Sequence, residues 1–570
     1  MSSLYAALEE RLSRAFDAVS PGADPVLRPS EHADFQANGA LGLAKVLGQS
    51  PREVAQRVID VLDIADLARV EIAGPGFINV VVSVDEMSQR LVDLLSNERL
   101  GVERRSARRV VIDYSAPNVA KEMHVGHLRS TVIGDSLARL HRFLGDEVIA
   151  RNHVGDWGTP FGMLIEHLLD LGEAEAVASL SVGDLDSFYR AARAKFDADE
   201  TFRERSRARV VSLQSGDEET RRLWQILVDQ SVAYFSEVYE ALDVELTAAD
   251  VVGESAYNDD LESVLHDLAA KDLLVESEGA QCVFPPGFVG RDGEPQPLIV
   301  RKSDDGFGYA ATDLAAVRDR VGRLGADEIY YVVGSPQSQH FQMVFSVARL
   351  AGWLPERVHC EHVAFGSVLG PDRKMFKSRT GETVKLIALL DDATEAARRE
   401  VTARRPEIGV EEAESLARDV ARAAIKYADL STDRLRDYVF DLDRMISAEG
   451  DTGPYLQYAH ARIRALFRRA GIERAPHVTP LLHEPSERAL ALGLLGWPDA
   501  VEATVRTSQP HRLCSYLFDV AQRFSTFYEE CPVLNAPEGV RESRLALAEL
   551  TARTLAQGLA LLGIAAPEQM

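Results

Sequence analysis

Cysteine is scarce in this sequence: four in 570 residues, Cys282, Cys360, Cys514 and Cys531, all far apart. None forms a Cys-x-x-Cys pair, which argues against a zinc ribbon or a disulfide framework, and no zinc or covalent cofactor is expected. No run of about twenty apolar residues exists, so no membrane span and no membrane partner are expected. The opening residues, Met1 to Phe16, mix acids into an amphipathic pattern without an apolar signal-peptide core, and a cytoplasmic protein is expected. No Gly-x-Gly-x-x-Gly joins a strand to a helix, which argues against a nicotinamide oxidoreductase. A basic excess is also missing, since net charge is −26. Nucleic acid would then need a concentrated local patch of cations and would bind with marked salt sensitivity. What remains, 46% hydrophobic and 27% charged, is ordinary globular composition, and the length implies about three or four domains.

The chain is organised around Arg109 to Leu144. Val110, Val111 and Ile112 form a short β-branched run that reads as a buried parallel strand. Pro117 breaks the pattern, and from about His124 the period changes. Leu128, Val132, Leu137, Leu140 and Leu144 recur at helical spacing, and a second strand comes next at Glu147 to Ala150. This is a βαβ unit, which crosses over right-handed. Its strand-to-helix loop carries His124, Gly126 and His127, at a helix N-terminus with free N–H groups and positive potential. Gly126 leaves room for a nucleotide to approach the backbone. Two imidazoles there can donate hydrogen bonds to phosphate oxygens as charge builds in a transition state.

This His-x-Gly-His element resembles the ATP-binding signature of class I aminoacyl-tRNA synthetases. The flanking Ser115-Ala116-Pro117-Asn118-Val119-Ala120-Lys121 and Leu128-Arg129-Ser130-Thr131 narrow the resemblance to the arginyl-tRNA synthetase family. A second cationic loop, Gly366 to Gly381, contains Lys374-Met375-Phe376-Lys377. It is similar to the Lys-Met-Ser-Lys-Ser signature of that class, with Phe376 in place of serine. A glycine-bounded cationic loop can swing over a triphosphate and neutralise the leaving pyrophosphate; taken by itself it also fits an exposed basic loop. Both lysine positions, Lys374 and Lys377, are filled, and Lys121 near the histidines is a third candidate, so which lysine acts stays open.

Further site residues are implied by the same resemblance. After the second strand, Arg151 to Gly158 contains His153, Gly155 and Asp156, which the family places at the border of the active site; Trp157 there fits a packed turn equally well. Tyr309 and Asp313 are four apart, on one helical face. A carboxylate with an aromatic hydroxyl beside it can hold a planar guanidinium, while a helix cap and a core tyrosine fit the same spacing. The resemblance matches both positions to contacts with the arginine side chain, with Asp113 a second acid, and matches Asn118 and Gln337 to the α-amino group.

Away from these loops, Leu4 to Val19, Gly39 to Leu47 and a helix opening at Ser50-Pro51-Arg52-Glu53 read as helical, with Ser50 and Glu53 forming a capping box. Ala68 to Ile72 and Phe77 to Val82 read as strands joined by Gly74-Pro75-Gly76. The segment Asp34 to Gly39 resembles the family's N-terminal tRNA-elbow contact, which makes Phe35, Gln36 and Asn38 tRNA-binding candidates, although Phe35 also suits a core. Residues 161–242 read as charged helices, with Arg203, Arg205, Arg207 and Arg209 on a solvated face. Leu246 to Val252 reads as a strand and Ala280 to Val300 as β. Beyond about Asp391 the pattern is helical. Ala424 to Leu430 and Asp451 to Arg464 match the family's anticodon-binding bundle, where Tyr455, Tyr458, Arg462 and Arg464 combine rings for stacking with cations for the backbone. Both tyrosines equally suit a bundle core.

The expected fold is therefore α/β and multidomain. A small α+β N-terminal domain (1–105) precedes a Rossmann-like parallel-sheet catalytic domain (106–392), which is interrupted by helical (about 161–242) and β-containing (about 256–306) insertions. An all-α C-terminal bundle (393–570) ends the chain. The implied activity is ATP-dependent ligation of L-arginine to tRNA(Arg) through an arginyl-adenylate, releasing AMP and pyrophosphate. Magnesium would be carried by ATP with no metal site of the protein's own, and a monomer is expected. No candidate editing domain is evident, in keeping with the discrimination that a site built for arginine's forked charge supplies.

Overall fold

The computed structural model describes residues 2–158, 160–173, 175–176, 185–290, 293–303, 306–374, 376 and 384–570. At its centre lies a five-stranded parallel sheet in the order His359–His362, Glu328–Tyr331, Arg109–Asp113, Glu147–Val154, Val251–Gly253. Arg109–Asp113 is the middle strand, and Val110, Val111 and Ile112 are fully buried, as their unbroken apolar run requires. The chain leaves this strand in one direction through Glu147–Val154 and Val251–Gly253, then returns to the other side for Glu328–Tyr331. The strand order thus reverses beside Arg109–Asp113, the point where doubly wound sheets open a crevice at the carboxyl ends of their strands.

The helix Val125–Leu144 packs on the sheet with Leu128, Val132, Leu137, Leu140 and Leu144 buried. Gly134 lets it approach the sheet, because a Cβ there would fall 2.2 Å from the Tyr114 ring. The next strand runs to Val154, four residues past the apolar run. Asn152, inside this extension, is buried at no cost in hydrogen bonds: its Oδ1 accepts from the Ala116 N–H at 2.9 Å and its Nδ2 donates to the Tyr239 hydroxyl at 2.8 Å.

The N-terminal part is a four-stranded antiparallel sheet, Leu27–Pro29, Phe35–Ala37, Phe77–Val82, Ala68–Ala73. Helices Leu4–Val19, Gly39–Leu47, Pro51–Val61 and Val84–Ser96 accompany it, and both hydrogen bonds of the Ser50–Glu53 capping box are formed. The two three-residue strands at its start are too short to register in the sequence pattern. Helices Pro160–Leu171, Leu185–Ala198, Glu200–Ser215 and Glu218–Leu242 form the first insertion. The arginine run in it is not simply solvated: Arg205 and Arg209 both pair with buried Glu166, at 2.9 and 2.7 Å. Leu246 to Val252 is mostly not a strand, since a 3-10 turn Ala248–Asp250 leads into Val251–Gly253. A three-stranded antiparallel sheet, Val275–Ser277, Ala280–Val283, Leu298–Arg301, forms the second insertion.

The C-terminal third is helical from Leu386–Arg404 to Val540–Leu561, with the short strand Tyr438–Val439 among the helices. That strand pairs in parallel with Val368–Leu369, at the start of the cationic loop. Arg129, on the central helix, is buried in an ion pair with Asp429 at 3.3 Å and donates to the Arg436 carbonyl at 2.8 Å. The bundle is therefore attached both to the central helix and to the start of the cationic loop. Among the described residues, no helix is long and apolar enough to cross a membrane.

Candidate active site

The crevice is lined by the loops at the carboxyl ends of the strands. After Arg109–Asp113 the loop Tyr114 to Met123 takes three non-glycine residues into the left-handed region: Ser115 at φ 74°, Ala116 at φ 48° and Ala120 at φ 58°. Such backbone costs energy and persists only when its surroundings hold it. Here the Ser115 N–H donates to Ser130 Oγ at 2.9 Å, the Ala116 N–H to Asn152, and the Ala120 N–H to Ser231 Oγ at 2.9 Å. Asn118 is exposed at the edge of the crevice and bridges in parallel to Gly155. A Cβ at Gly155 would lie 2.4 Å from Asn118 Oδ1, so a side chain there would displace the Asn118 amide.

At the helix start, His124 is the N-cap. Its Nδ1 accepts from the Gly126 N–H at 3.0 Å, and His127 Nδ1 accepts from the His124 N–H at 3.1 Å, with ring centroids 4.1 Å apart. A ring nitrogen that accepts a backbone N–H carries no proton, so both imidazoles have Nε2 as their donor. Burial holds both rings below the usual histidine range, His127 at about 3 with the neighbouring His124 adding to the effect. Both are neutral donors at neutral pH. Gly126 makes this cap possible in a way its spacing did not reveal, because a Cβ would meet His124 Cε1 at 2.7 Å.

Two lysines flank the cap. Lys121 lies with its ammonium 4.6 Å from the Tyr189 ring centroid and has no carboxylate partner among the described residues. Lys385 is paired with Glu122 at 2.8 Å. In the cationic loop Lys374 is exposed, and Gly370 donates its N–H to the Lys374 carbonyl at 2.8 Å. Phe376, which stands where the signature has serine, stacks on Phe440 at 5.1 Å and 21°. Lys377 lies outside the described residues.

The opposite end of the crevice is acidic. Asp313 accepts from His340 Nε2 at 2.6 Å, and Tyr309, one turn earlier on the helix Tyr309–Gly322, is 76% exposed at its mouth. Asp156 accepts from the Ser255 N–H at 2.9 Å and from its hydroxyl at 2.5 Å. Between them lies Glu254, which the sequence pattern did not single out. Its carboxyl is pushed up to about 7, first by burial and then by the charges of Asp156 and Asp313. An acid directly after the strand Val251–Gly253 was the available signal. Gln337 is exposed at the end of the 3-10 turn Ser335–Gln337, after the strand Glu328–Tyr331.

Asp113 needs correction as a second acid for a guanidinium ligand. Its carboxylate is buried and already paired with the chain's own Arg320 at 2.6 Å. His153 stands beside it, Nδ1 3.8 Å from Asp113 Oδ2, with burial depressing its pKa and its Nε2 without a hydrogen bond among the described residues. Trp157 packs edge-on against Trp224 at 5.9 Å.

The distant candidates divide as well. Tyr458 is 40% exposed with Arg404 beside it at 5.8 Å, and exposed Arg462 sits over the Tyr528 ring at 4.5 Å. Tyr455 packs edge-on against Phe518. Arg464 is corrected: it is turned into the bundle, paired with Glu549 at 3.2 Å, and is no free surface cation. Phe35 stands edge-on to Tyr5, Gln36 Nε2 donates to Asn79 at 2.8 Å, and Asn38 has a buried Oδ1 without a hydrogen bond among the described residues.

Residues 90–442 match the family model for the class I (R) tRNA synthetase catalytic domain. Residues 456–570 match the DALR anticodon binding domain, and residues 2–82 the arginyl tRNA synthetase N terminal domain. The arginine--tRNA ligase of Thermobifida fusca is 55% identical over 566 residues, 99% of this chain and 98% of that one. The arginyl-tRNA synthetase structure from Plasmodium falciparum superposes with a TM-score of 0.87 at 29% identity, covering 100% of both chains. That from Thermus thermophilus gives 0.83 at 27% identity, covering 99% of this chain and 100% of that one.

Proposed function

Because this chain belongs to the arginyl-tRNA synthetase family and ligates arginine to tRNA using ATP, we propose that the two ends of its crevice divide the work. The observation that carries this division is the separation of charge. Neutral Nε2 donors stand at the helix start with an ammonium that has no carboxylate partner among the described residues, while Asp156, Glu254 and Asp313 cluster at the other end.

In this reading the arginine guanidinium enters the acidic end, held by Asp313 and Glu254 with the Tyr309 ring at the mouth. The positive charge of the guanidinium favours the ionised form of Glu254, against the burial and the charges of Asp156 and Asp313 that hold it partly protonated. Asn118 and Gln337 take the α-amino group, which points the carboxylate at the α-phosphate of ATP. His153, Gly155 and Asp156 form the floor. Attack of that carboxylate oxygen on the α-phosphorus breaks the bond to the bridging oxygen, giving arginyl-adenylate and pyrophosphate. His124 and His127 donate from Nε2 to phosphate oxygens as charge accumulates, and Lys121, Lys374 and Lys377 receive the leaving pyrophosphate. Gly126 lets the nucleotide close on the helix N-terminus. The triphosphate would bring its magnesium with it, adding charge compensation that two neutral imidazoles do not supply. In the second step the terminal ribose hydroxyl of tRNA(Arg) attacks the adenylate carbonyl and AMP leaves. No side chain becomes a covalent carrier; positioning and charge do the work.

Transfer RNA would lie along Tyr458 and Arg462 at its anticodon, with Tyr455 supporting them, and against Phe35, Gln36 and Asn38 near its elbow. Domain borders near residues 105 and 392 suit this placement. We read the chain as a monomer acting in the cytoplasm, where translation uses charged tRNA.

The test is charging of total tRNA with labelled arginine in ATP and magnesium, paired with ATP–pyrophosphate exchange. Wild type should charge arginine alone among the amino acids. Asp313→Asn should raise the arginine KM by at least about tenfold, as expected for a lost charge-assisted contact. An unchanged arginine KM in that variant would overturn the assignment of the acidic end.

A further inference from the structure

The part of the loop around Lys121 is held by the first insertion. The Ala120 N–H donates to Ser231 Oγ at 2.9 Å, on the helix Glu218–Leu242. The Glu122 N–H donates to Asp186 Oδ1 at 3.1 Å, and the Lys121 ammonium faces the Tyr189 ring at 4.6 Å; both belong to the helix Leu185–Ala198. Three successive residues, 120 to 122, are thus gripped from the insertion, and the first of them has the left-handed backbone noted above. Asp186 also acts on the cap electrostatically, tending to raise the His124 pKa against the larger effect of burial.

We propose that Tyr189 is a positioning residue for Lys121 in arginine activation, so that the inserted helices form a working wall of the ATP site. This rests on the reading that Lys121 meets the phosphates. The physical argument is a contrast between two lysines at one turn. Lys385 bridges to His124 through its backbone, and its ammonium is paired with a carboxylate, Glu122, at 2.8 Å. A carboxylate cancels the charge of its partner and occupies its N–H donors. An aromatic face attracts a cation through its quadrupole while leaving net charge and donors in place. Held over Tyr189, Lys121 is confined before ATP arrives yet remains a full positive charge. The flexible four-carbon stem of lysine makes that confinement valuable, since an unheld ammonium would have to be ordered at the moment of reaction.

The experiment is ATP–pyrophosphate exchange by the full-length enzyme, with tRNA present, on Lys121→Met, Tyr189→Leu, Tyr189→Phe and the Lys121→Met/Tyr189→Leu double variant. Tyr189→Leu should lower kcat/KM for ATP by about tenfold, the scale of a partly desolvated cation–ring contact, and leave the arginine KM where it was. Tyr189→Phe should recover most of the loss, because the ring is kept. The double variant should be no worse than Lys121→Met alone. If Lys121→Met is impaired but Tyr189→Leu is not, or if the two losses multiply, the positioning role falls while the role of Lys121 stands. If Lys121→Met is itself unimpaired, the reading of Lys121 falls and the proposal with it. Should Tyr189→Leu fold poorly, phenylalanine at 189 carrying one, two and three ring fluorines keeps the shape while weakening the quadrupole. Exchange should fall stepwise along that series, and a flat series overturns the proposal.

Discussion

Glu254 shows how much a single carboxyl can report. Burial, Asp156 and Asp313 raise its pKa to about 7, whereas the unfolded chain would titrate near the ordinary value of about 4.3. Between those two values the folded protein binds the extra proton, so this group makes the free enzyme less stable as pH rises through the window. Arginine reverses the preference, because a guanidinium favours the ionised carboxylate. The arginine KM should therefore climb as pH falls below about 7, by at most about tenfold per unit for one proton. Steady-state kinetics from pH 8 to 5.5 should show that climb in wild type and not in Glu254→Gln. Thermal denaturation of the free enzyme should show Glu254→Gln more stable than wild type above pH 7. His127, held at about 3, stays neutral in the folded protein and should add nothing to the kinetic profile; its unfolded imidazole takes up a proton below about 6.5, so it costs stability as pH falls through that value. Asp113 gives the opposite kind of result. Its partner Arg320 is 1% exposed, and removing one member of a buried pair costs about 3–5 kcal/mol. Asp113→Ala should accordingly lower Tm by many degrees. If it instead raised the arginine KM with Tm unchanged, Asp113 would be a ligand of the substrate after all.

At the level of elements, the helix Val125–Leu144 is where sequence and structure agree best and where their limits show. Five leucines and valines at helical spacing announce the helix, and all of them are buried. Periodicity reports burial, and a helix lying between sheet and bundle has no choice about its apolar face. The way it starts was not readable, because imidazole is not among the usual N-capping side chains. Only the geometry reveals that each histidine uses Nδ1 on the backbone and has Nε2 as its donor. The same limit applies to pairs made at long range. Asp113 and Arg320 lie 207 residues apart, and no spacing rule connects them. Glu166 takes two arginines from an apparently solvated run for the same reason. Glu254 was legible in principle, as an acid closing a parallel strand, but the strand before it is only three residues long. The cap itself is testable through Gly126→Ala. The new methyl would sit 2.7 Å from His124 Cε1 and 2.8 Å from its Nδ1, so the ring must leave the cap. The lost cap should cost about 1 kcal/mol of stability, a small change in Tm. ATP–pyrophosphate exchange should fall by about tenfold or more, since both Nε2 donors depend on that ring arrangement. Equal losses in Tm and in exchange would place Gly126 in packing rather than in the site.

For the whole molecule the question is how a chain of net charge −26 holds a polyanion. The bundle answers by using its arginines unequally. Arg464 is consumed by Glu549, while Arg404 stands beside exposed Tyr458, Arg462 lies exposed over Tyr528, and Arg468 and Arg469 are exposed further along the same helix. A ring with cations beside it is the arrangement that takes an unstacked base and its flanking phosphates. Arg129 and Asp429 join this bundle to the helix with the histidine cap, and the Val368–Leu369 pairing with Tyr438–Val439 joins it to the cationic loop. Binding should be strongly salt dependent, each neutralised phosphate adding about 0.7–0.9 to the slope of log K against log salt. Tyr458→Ala should raise the tRNA KM by about tenfold to a hundredfold, the range of one base stacked on one ring, with the KM values for arginine and ATP unmoved and the salt slope kept. Arg462→Ala should instead flatten the slope. Arg464→Ala should do neither, and should lower Tm, because its charge serves Glu549 inside the bundle. Aminoacylation kinetics across a salt series separates the three, and a tRNA KM indifferent to Tyr458 would move the anticodon contact elsewhere on the bundle.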